Sequence, residues 1–198
     1  MYFISKRIFD VLASFVVLII LMPILLIISI LVLVSSPGGI FYKQVRVGKN
    51  GKEFGLLKFR SMRAGSDAKG QLTVGNDARV TGVGRFIRRF KLDEFPQLLN
   101  IIAGQMSIVG PRPEVPKYVA LYNEKQQKVL SVLPGLTDIA TIEYIKEQEI
   151  LGKAENPEQT YIDEVMPAKL DLNLQYVEKA NFWFDIYLIF KTIGRIFR

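Results

Sequence analysis

The stretch Val11-Leu12-Ala13-Ser14-Phe15-Val16-Val17-Leu18-Ile19-Ile20-Leu21-Met22-Pro23-Ile24-Leu25-Leu26-Ile27-Ile28-Ser29-Ile30-Leu31-Val32-Leu33-Val34 is 24 residues long and carries no charge. As one helix it measures roughly 36 Å, enough to cross a bilayer core. It is too long for the apolar part of a signal peptide, and Ser35-Ser36-Pro37-Gly38 makes a poor cleavage site. Two features complicate a plain span. Pro23 sits at the midpoint, where it removes a backbone donor and bends a helix. Positive charge also flanks both ends, with Lys6 and Arg7 before the stretch and Lys43, Arg46, Lys49 and Lys52 after it. Cytoplasmic flanks are the basic ones, so both ends are drawn to the same face. A kinked span and a re-entrant helix–break–helix, entering and leaving by one leaflet, both fit these residues. Either places the chain on a membrane.

The other end of the chain is also apolar. Residues Asn181 to Arg198 include Phe182, Trp183, Phe184, Tyr187 and Phe190, with Lys191, Arg195 and Arg198 interspersed. The segment is too short and too basic to span. Trp and Tyr mixed with cations suit an amphipathic helix lying in the interface, and a core-packed terminal helix fits the same residues.

A length of 198 residues suits one domain. There is no Cys and no His, which removes thiol nucleophiles, imidazole bases, His-ligated zinc and disulfides together. Catalysis must then run on carboxylates, hydroxyls, Lys, Arg or a hard metal held by oxygen. The net charge of +7 is unevenly spread: residues 1–92 hold 15 Lys+Arg against 4 Asp+Glu, and residues 93–198 hold 11 against 15. A basic half points to phosphate-bearing partners such as lipid headgroups or nucleotides. Nucleic acid is not expected. The same half carries the long apolar stretch, and residues 63–92 have only Phe86 and Phe90, at helix spacing, where base stacking needs interleaved aromatics.

Between the two apolar ends, Ile40 to Val47 alternates as a strand, Lys49-Asn50-Gly51-Lys52 reads as a hairpin turn, and Glu53 to Met62 as the return strand. Arg63 to Asp77 reads as a polar, Gly-rich loop. Helices are expected over Gly84 to Leu92, Leu92 to Ala103, Pro116 to Leu133, Glu143 to Lys153 and Pro157 to Lys179, with Pro111-Arg112-Pro113 as a rigid turn.

Asp93-Glu94 is the centre of the chemistry. Pro96 belongs in a helix's first turn, so a helix is expected to start near Asp93, a favoured cap type. Helix starts stabilise carboxylates and phosphates. Adjacent carboxylates there can divide into a nucleophile and a metal or water handler, or simply cap the helix. Arg85, Arg88, Arg89 and Lys91 lie just upstream and would keep the pair ionised and receive a diphosphate. Arg112, held between Pro111 and Pro113, suits bidentate phosphate binding or a solvated turn. Lys58 and Arg60 fall on one face of the return strand, for substrate, headgroup or water. Gly82-Val83-Gly84 is too short for a nucleotide loop and reads as a turn.

These segments run in a recognisable order. Lys6-Arg7-Ile8-Phe9-Asp10 precedes the apolar stretch with Pro23. Phe41-Tyr42-Lys43-Gln44-Val45-Arg46-Val47-Gly48 and Leu57-Lys58-Phe59-Arg60-Ser61-Met62 follow it. Then come Asp77-Ala78-Arg79-Val80-Thr81, Gly84-Arg85-Phe86-Ile87-Arg88 and Leu92-Asp93-Glu94-Phe95-Pro96-Gln97-Leu98-Leu99-Asn100. Gly104-Gln105-Met106-Ser107-Ile108-Val109-Gly110-Pro111-Arg112-Pro113 and Pro134-Gly135-Leu136-Thr137 complete the set. Over nearly the whole chain to about residue 138 this resembles the monotopic phosphoglycosyl transferases, bacterial sugar transferases that start glycan assembly on undecaprenyl phosphate.

The resemblance implies a re-entrant membrane helix hinged at Pro23 and a Mg²⁺-dependent reaction in two steps. Asp93 would attack the β-phosphate of a UDP-sugar and release UMP, and polyprenyl phosphate would then take the phosphosugar. Glu94 would help with metal and positioning, so that Asp93 and Glu94 are also the metal ligands, while Arg88 and Arg112 would bind phosphate. A covalent carboxylate nucleophile suits a chain without His or Cys. After Thr137 many relatives continue with a small residue, Gln and Asn-Gly-Arg; here the chain reads Asp138-Ile139-Ala140-Thr141-Ile142-Glu143-Tyr144 and then the acidic Glu147 to Glu149. Met22 precedes Pro23 where a Ser is common. The chain reads as the minimal catalytic form.

The expected architecture is mixed α/β, mainly helical with a small β element, in one structural domain. Residues 1–36 form the re-entrant helix, 37–180 the catalytic part and 181–198 the interfacial helix. The expected place is the cytoplasmic face of the bacterial inner membrane, with UDP-sugar, polyprenyl phosphate and the membrane as partners and a homodimer compatible. The competing function is a non-catalytic, membrane-anchored basic adaptor for anionic lipid or a partner protein. Such an anchor has no use for Asp93-Glu94 behind an Arg cluster or for a rigid Pro-Arg-Pro.

Overall fold

A computed structural model of the chain describes residues 2–66, 77–144 and 147–196. The expected loop over Arg63 to Asp77 lies largely outside the described residues. The apolar stretch becomes a single helix, α1 (Tyr2–Ser35), with Pro23 inside it. The anticipated helix–break–helix is therefore not seen as two helices: helical hydrogen bonding resumes on both sides of Pro23, because a proline deletes one donor and its neighbours can stay α.

One narrow stripe of α1 is covered by the protein. Asp10, Ser14, Ile28 and Val32 are buried, and Val17, Leu18 and Leu25 partly so, a spacing of three and four that keeps one face inward. The rest faces outward, with Phe3, Ile20, Leu26, Ile30 and Val34 exposed. Only 11% of the most apolar window of α1 is buried, so it is not the core helix of a water-soluble fold. By length and composition this is a helix that could cross a membrane.

The chain then forms the expected hairpin, β1 (Phe41–Val47) against β2 (Glu53–Phe59), antiparallel with Phe41 opposite Phe59 and Val47 opposite Glu53. Asn50 and Gly51 both adopt positive φ at its turn, as a tight hairpin needs. Helix α2 (Gly82–Arg89) starts earlier than expected because the Thr81 hydroxyl accepts a hydrogen bond from the Gly84 amide. Helix α3 (Gln97–Ile102) follows. A pair of short parallel strands, β3 (Ser107–Val109) and β4 (Gly135–Thr137), was not foreseen. Each is three residues long, below what a two-residue periodicity can reveal.

The helix expected over Pro116 to Leu133 is broken into α4 (Pro116–Val119), α5 (Glu124–Gln127) and a 3₁₀ turn at Lys128–Ser131. Asn123 and Gln126 form a reciprocal capping box that restarts the chain at α5. Helices α6 (Ile139–Glu143) and α7 (Glu147–Gly152) replace the single helix expected over Glu143 to Lys153. The run from Pro157 to Lys179 is helical as expected, in the order α8 (Pro157–Thr160), a π turn at Tyr161–Val165 and α9 (Met166–Lys179). The chain closes on α10 (Phe182–Ile196).

Four apolar clusters hold these pieces. Val17 and Leu18 of α1 meet Leu98 and Ile101 of α3, while Ile28 and Val32 meet Ile87 of α2 and Phe59 of β2. Leu188 of α10 packs with Val109, Ile142 and Tyr176. The core-packed reading of the C-terminal segment holds for one face of α10, on whose other side Trp183, Tyr187 and Phe190 are exposed. Polar staples join the two ends of the chain. Asp185 on α10 accepts hydrogen bonds from Lys6 Nζ at 2.7 Å, Tyr2 Oη at 2.8 Å and Tyr176 Oη at 2.7 Å. Arg7 donates to the carbonyls of Ile101 and Ile102 at the end of α3. The buried Asp10 carboxylate accepts from Ser107 Oγ and the Ile108 amide.

Candidate functional site

Asp93 and Glu94 lie within a 3₁₀ turn, Leu92–Glu94, rather than at a helix cap as expected. Neither side chain caps the turn, whose preceding residue is Lys91, and α3 begins only after Pro96. Freed from capping, the carboxylates are available for other bonds. What turns the chain is Lys91, which adopts the left-handed conformation (φ 57°, ψ 19°) between α2 and the acidic pair. For a residue with a Cβ this conformation costs about 1–2 kcal/mol, and such strain collects at functional sites. Lys91→Asn tolerates this conformation and Lys91→Val does not. The valine variant is expected to unfold at least about 1 kcal/mol more easily than the asparagine variant in chemical denaturation; equal stabilities would mean that the strain is absent.

The two carboxylates sit in opposite environments. Glu94 is clasped by Arg112 through both oxygens, one bond being 3.3 Å from Nη1 to Oε2. Burial pushes Glu94 upward, but Arg112, Lys58 and Lys91 outweigh it and hold the group far below the usual carboxylate range. Glu94 in turn drives the Arg112 guanidinium further up. Asp93, only 7% exposed, is raised by burial and by the charge on Glu94, against the pull of Lys58, Arg88 and Lys91. Among the described residues no side-chain donor is bonded to its carboxylate. A pair of acids whose environments drive them apart marks a division of labour. Glu94 is a fixed anion, and Asp93 is the more basic of the two, with no side-chain donor bonded to it among the described residues.

Besides Lys91, three cations surround them. Arg88, near the end of α2, is partly buried with Nε donating to Ser61 Oγ at 2.8 Å, and it faces Asp93 and Glu94 electrostatically. Lys58 on β2 is pushed down to about 8 by burial, opposed by Glu94, so at neutral pH it stays mostly charged beside the pair. Arg112 completes the set. Arg60 does not: it lies past the end of β2 with its guanidinium on the carbonyls of Pro37 and Phe41. The strand ends at Phe59, so the shared face expected for Lys58 and Arg60 does not reach the site. Pro23 lies inside α1, far in sequence from these groups.

The Pro111-Arg112-Pro113 turn is anchored from two sides. Arg46 donates to the Pro113 carbonyl at 3.0 Å and pairs with Glu114 at 2.8 Å, and the Val47 amide reaches the Glu114 carbonyl. Tyr161, in the π turn, donates to the other oxygen of Glu114. On the far side Gly110 N donates to Thr137 O and Gly135 N to Pro111 O. Gly110 and Gly135 cross so closely that a Cβ on Gly135 would lie 2.2 Å from the Gly110 nitrogen. Sequence reasoning missed Arg46, Ser61, Glu114 and Asp138 as parts of the site. Their partners lie far away in sequence, and no local spacing announces them. Clefts beside the hairpin turn, lined by residues such as Asn50, Phe54 and Gln105, contain none of these side chains.

No cluster of three or more carboxylates exists among the described residues. Two adjacent carboxylates are nevertheless what a magnesium ion uses when diphosphate oxygens and water supply its other ligands. Asp93 and Glu94 are such a pair, but both Glu94 oxygens already accept from Arg112, so an ion held there would have to share Glu94 with the guanidinium.

The whole chain, residues 1–198, matches the sequence model of a family described as bacterial sugar transferase. The chain belongs to the bacterial sugar transferase family. It is 34% identical to the UDP-glucose:undecaprenyl-phosphate glucose-1-phosphate transferase of Escherichia coli (strain K12), over 97% of this chain and 40% of that protein. It is 37% identical to the exopolysaccharide production protein ExoY of Rhizobium meliloti (strain 1021), over 97% of this chain and 85% of the relative. A third relative is the UDP-N-acetylgalactosamine-undecaprenyl-phosphate N-acetylgalactosaminephosphotransferase of Aeromonas hydrophila, 33% identical over 98% of this chain and 44% of its own length. The chain thus spans less than half of the two transferases and most of ExoY.

Proposed function

We propose that this chain transfers a sugar phosphate from a UDP-sugar to polyprenyl phosphate. The observation that carries the reading is the split pair: Asp93 open and raised, Glu94 locked to Arg112, with Lys58 and Arg88 facing both. In the first step an Asp93 oxygen bonds to the β-phosphorus of the donor, and the bond from that phosphorus to the bridging oxygen breaks, so that UMP leaves with the electron pair. In the second step a phosphate oxygen of the polyprenyl phosphate bonds to the same phosphorus and the Asp93 carboxylate departs unchanged. Arg88, Arg112 and Lys58 bind the diphosphate and stabilise the charge that spreads over its oxygens. A magnesium ion held by Asp93 and Glu94 would supply further neutralisation of that charge. The relatives' named activities, on UDP-glucose and UDP-N-acetylgalactosamine with undecaprenyl phosphate, support the donor and acceptor classes.

The seat on the membrane belongs to the same reading. A 34-residue helix is about 51 Å long, so a helix crossing a bilayer keeps only one end near a body on one side. Here Arg7 near one end is bonded to Ile101 and Ile102, and Val32 near the other is buried against Phe59 and Ile87. This favours α1 entering and leaving by one leaflet, with Pro23 at its deepest part. The exposed aromatics of α10 rest beside it in the interface, on the cytoplasmic face of the inner membrane where UDP-sugars are made available.

The test is UMP release from a panel of UDP-sugars by the purified protein, with Mg²⁺ and undecaprenyl phosphate. UMP from one donor, lost on adding a chelator and restored by excess Mg²⁺, is the expected result. A folded protein that releases no UMP with any donor would overturn the reading in favour of a membrane-bound adaptor.

A further inference from the structure

The segment after Thr137 contributes one residue to the phosphate-binding turn. Asp138 is 1% exposed, and its two carboxylate oxygens are used separately. Oδ2 accepts the Arg112 amide at 2.9 Å, and Oδ1 accepts the Thr141 amide and so caps α6. Arg112 is the one residue of the Pro-Arg-Pro turn with an amide hydrogen to give, since proline has none. An amide left without an acceptor is costly, so the Asp138 carboxylate selects the backbone arrangement in which the Arg112 guanidinium reaches Glu94. The negative charge of Asp138 also favours the guanidinium directly.

Resting on the transfer reaction proposed above, we infer that Asp138 is a positioning residue for Arg112. It aims the guanidinium at the donor phosphate, and it does so through the Arg112 backbone rather than by touching substrate. The same carboxylate ties the turn to α6. From there Glu143 pairs with Lys191 of α10 at 2.8 Å, and Thr137 bonds Thr192 of α10. The aim of Arg112 is thus set by the part of the chain nearest the C-terminal helix.

Asp138→Ser separates this role from simple support of the fold. Serine is as good a helix cap as aspartate, but its single, shorter-reaching oxygen cannot serve both amides. The expected result is a protein with nearly unchanged thermal unfolding and a kcat/KM for UMP release about tenfold or more below wild type. In the Arg112→Ala background the same change should lower activity less than twofold further, because residues acting through one another are not additive. Asp138→Asn, which keeps one acceptor oxygen, should recover part of the loss. Wild-type activity in Asp138→Ser, or a loss that multiplies in full with Arg112→Ala, would overturn the assignment.

Amide hydrogen exchange at Arg112 gives a readout independent of catalysis. It should be faster in Asp138→Ser than in wild type, and unchanged exchange also overturns the assignment. If wild type itself releases no UMP but Arg112 exchange responds as expected, it is the transfer reaction that fails and the backbone contact that stands.

Discussion

Asp93→Asn is expected to lower UMP release by at least about a thousandfold, with the protein still folded. Removing an attacking group from a covalent mechanism forfeits the whole reaction path, and losses of this size or larger are normal for nucleophiles. Asparagine matches aspartate in size and its amide oxygen is a poor nucleophile. The substitution also removes the charge that repels Glu94, so the variant should be no less stable than wild type in thermal unfolding. The covalent step can be read directly. Wild type incubated with a UDP-sugar and no polyprenyl acceptor should gain the mass of one phosphosugar, and Asp93→Asn should gain none. Turnover that survives the substitution, or an adduct mapped elsewhere, would remove Asp93 from the role proposed here.

The second large effect concerns the fold. Asp185→Ala should destabilise the protein by about 3–5 kcal/mol, the usual cost of removing one partner from a buried charge cluster. Three donors converge on this carboxylate: Lys6 and Tyr2 from α1, and Tyr176 from α9. The Lys6 side chain is only 14% exposed, so alanine strands a cation away from water, with two hydroxyls beside it. Unfolding of the detergent-solubilised protein is the measurement. Protease accessibility of the segment around Phe182 should rise as well, because Asp185 is the polar link between α10 and α1 and only the Phe9–Phe182 ring contact would remain beside it among the contacts described. A change below about 1 kcal/mol would mean that apolar packing around Leu188 suffices to hold that helix.

How much of this was legible in the chain follows the reach of each interaction. The helical apolar run, the hairpin and its turn at Asn50-Gly51, and the long helices near the C-terminus were legible because their signals are local, whereas the break expected at Pro23 does not divide α1 into two helices. Where helices were misjudged, short-range competition decided: Asn123 and Gln126 restart a helix that composition alone would have continued. Acidic residues at 93 and 94 suggested a cap, but the left-handed turn at Lys91 places them inside a 3₁₀ turn. The paired strands β3 and β4 left no trace at all, being three residues each and matched across the chain.

By itself the sequence determined the chemistry available: carboxylates and cations with no imidazole or thiol, a long apolar helix, and an order of motifs, resembling a known family, that made Asp93, Glu94, Arg88 and Arg112 the candidates. Residue types and local spacing suffice for that. Tertiary structure alone decided which charges meet. It clasped Glu94 with Arg112, left Asp93 open, brought Lys58 to the pair and sent Arg60 to the carbonyls of Pro37 and Phe41. It also placed Asp138 beneath Arg112 from 26 residues away. Electrostatic interaction falls with distance through space and takes no account of separation along the chain, so only the folded arrangement assigns each charge its partner.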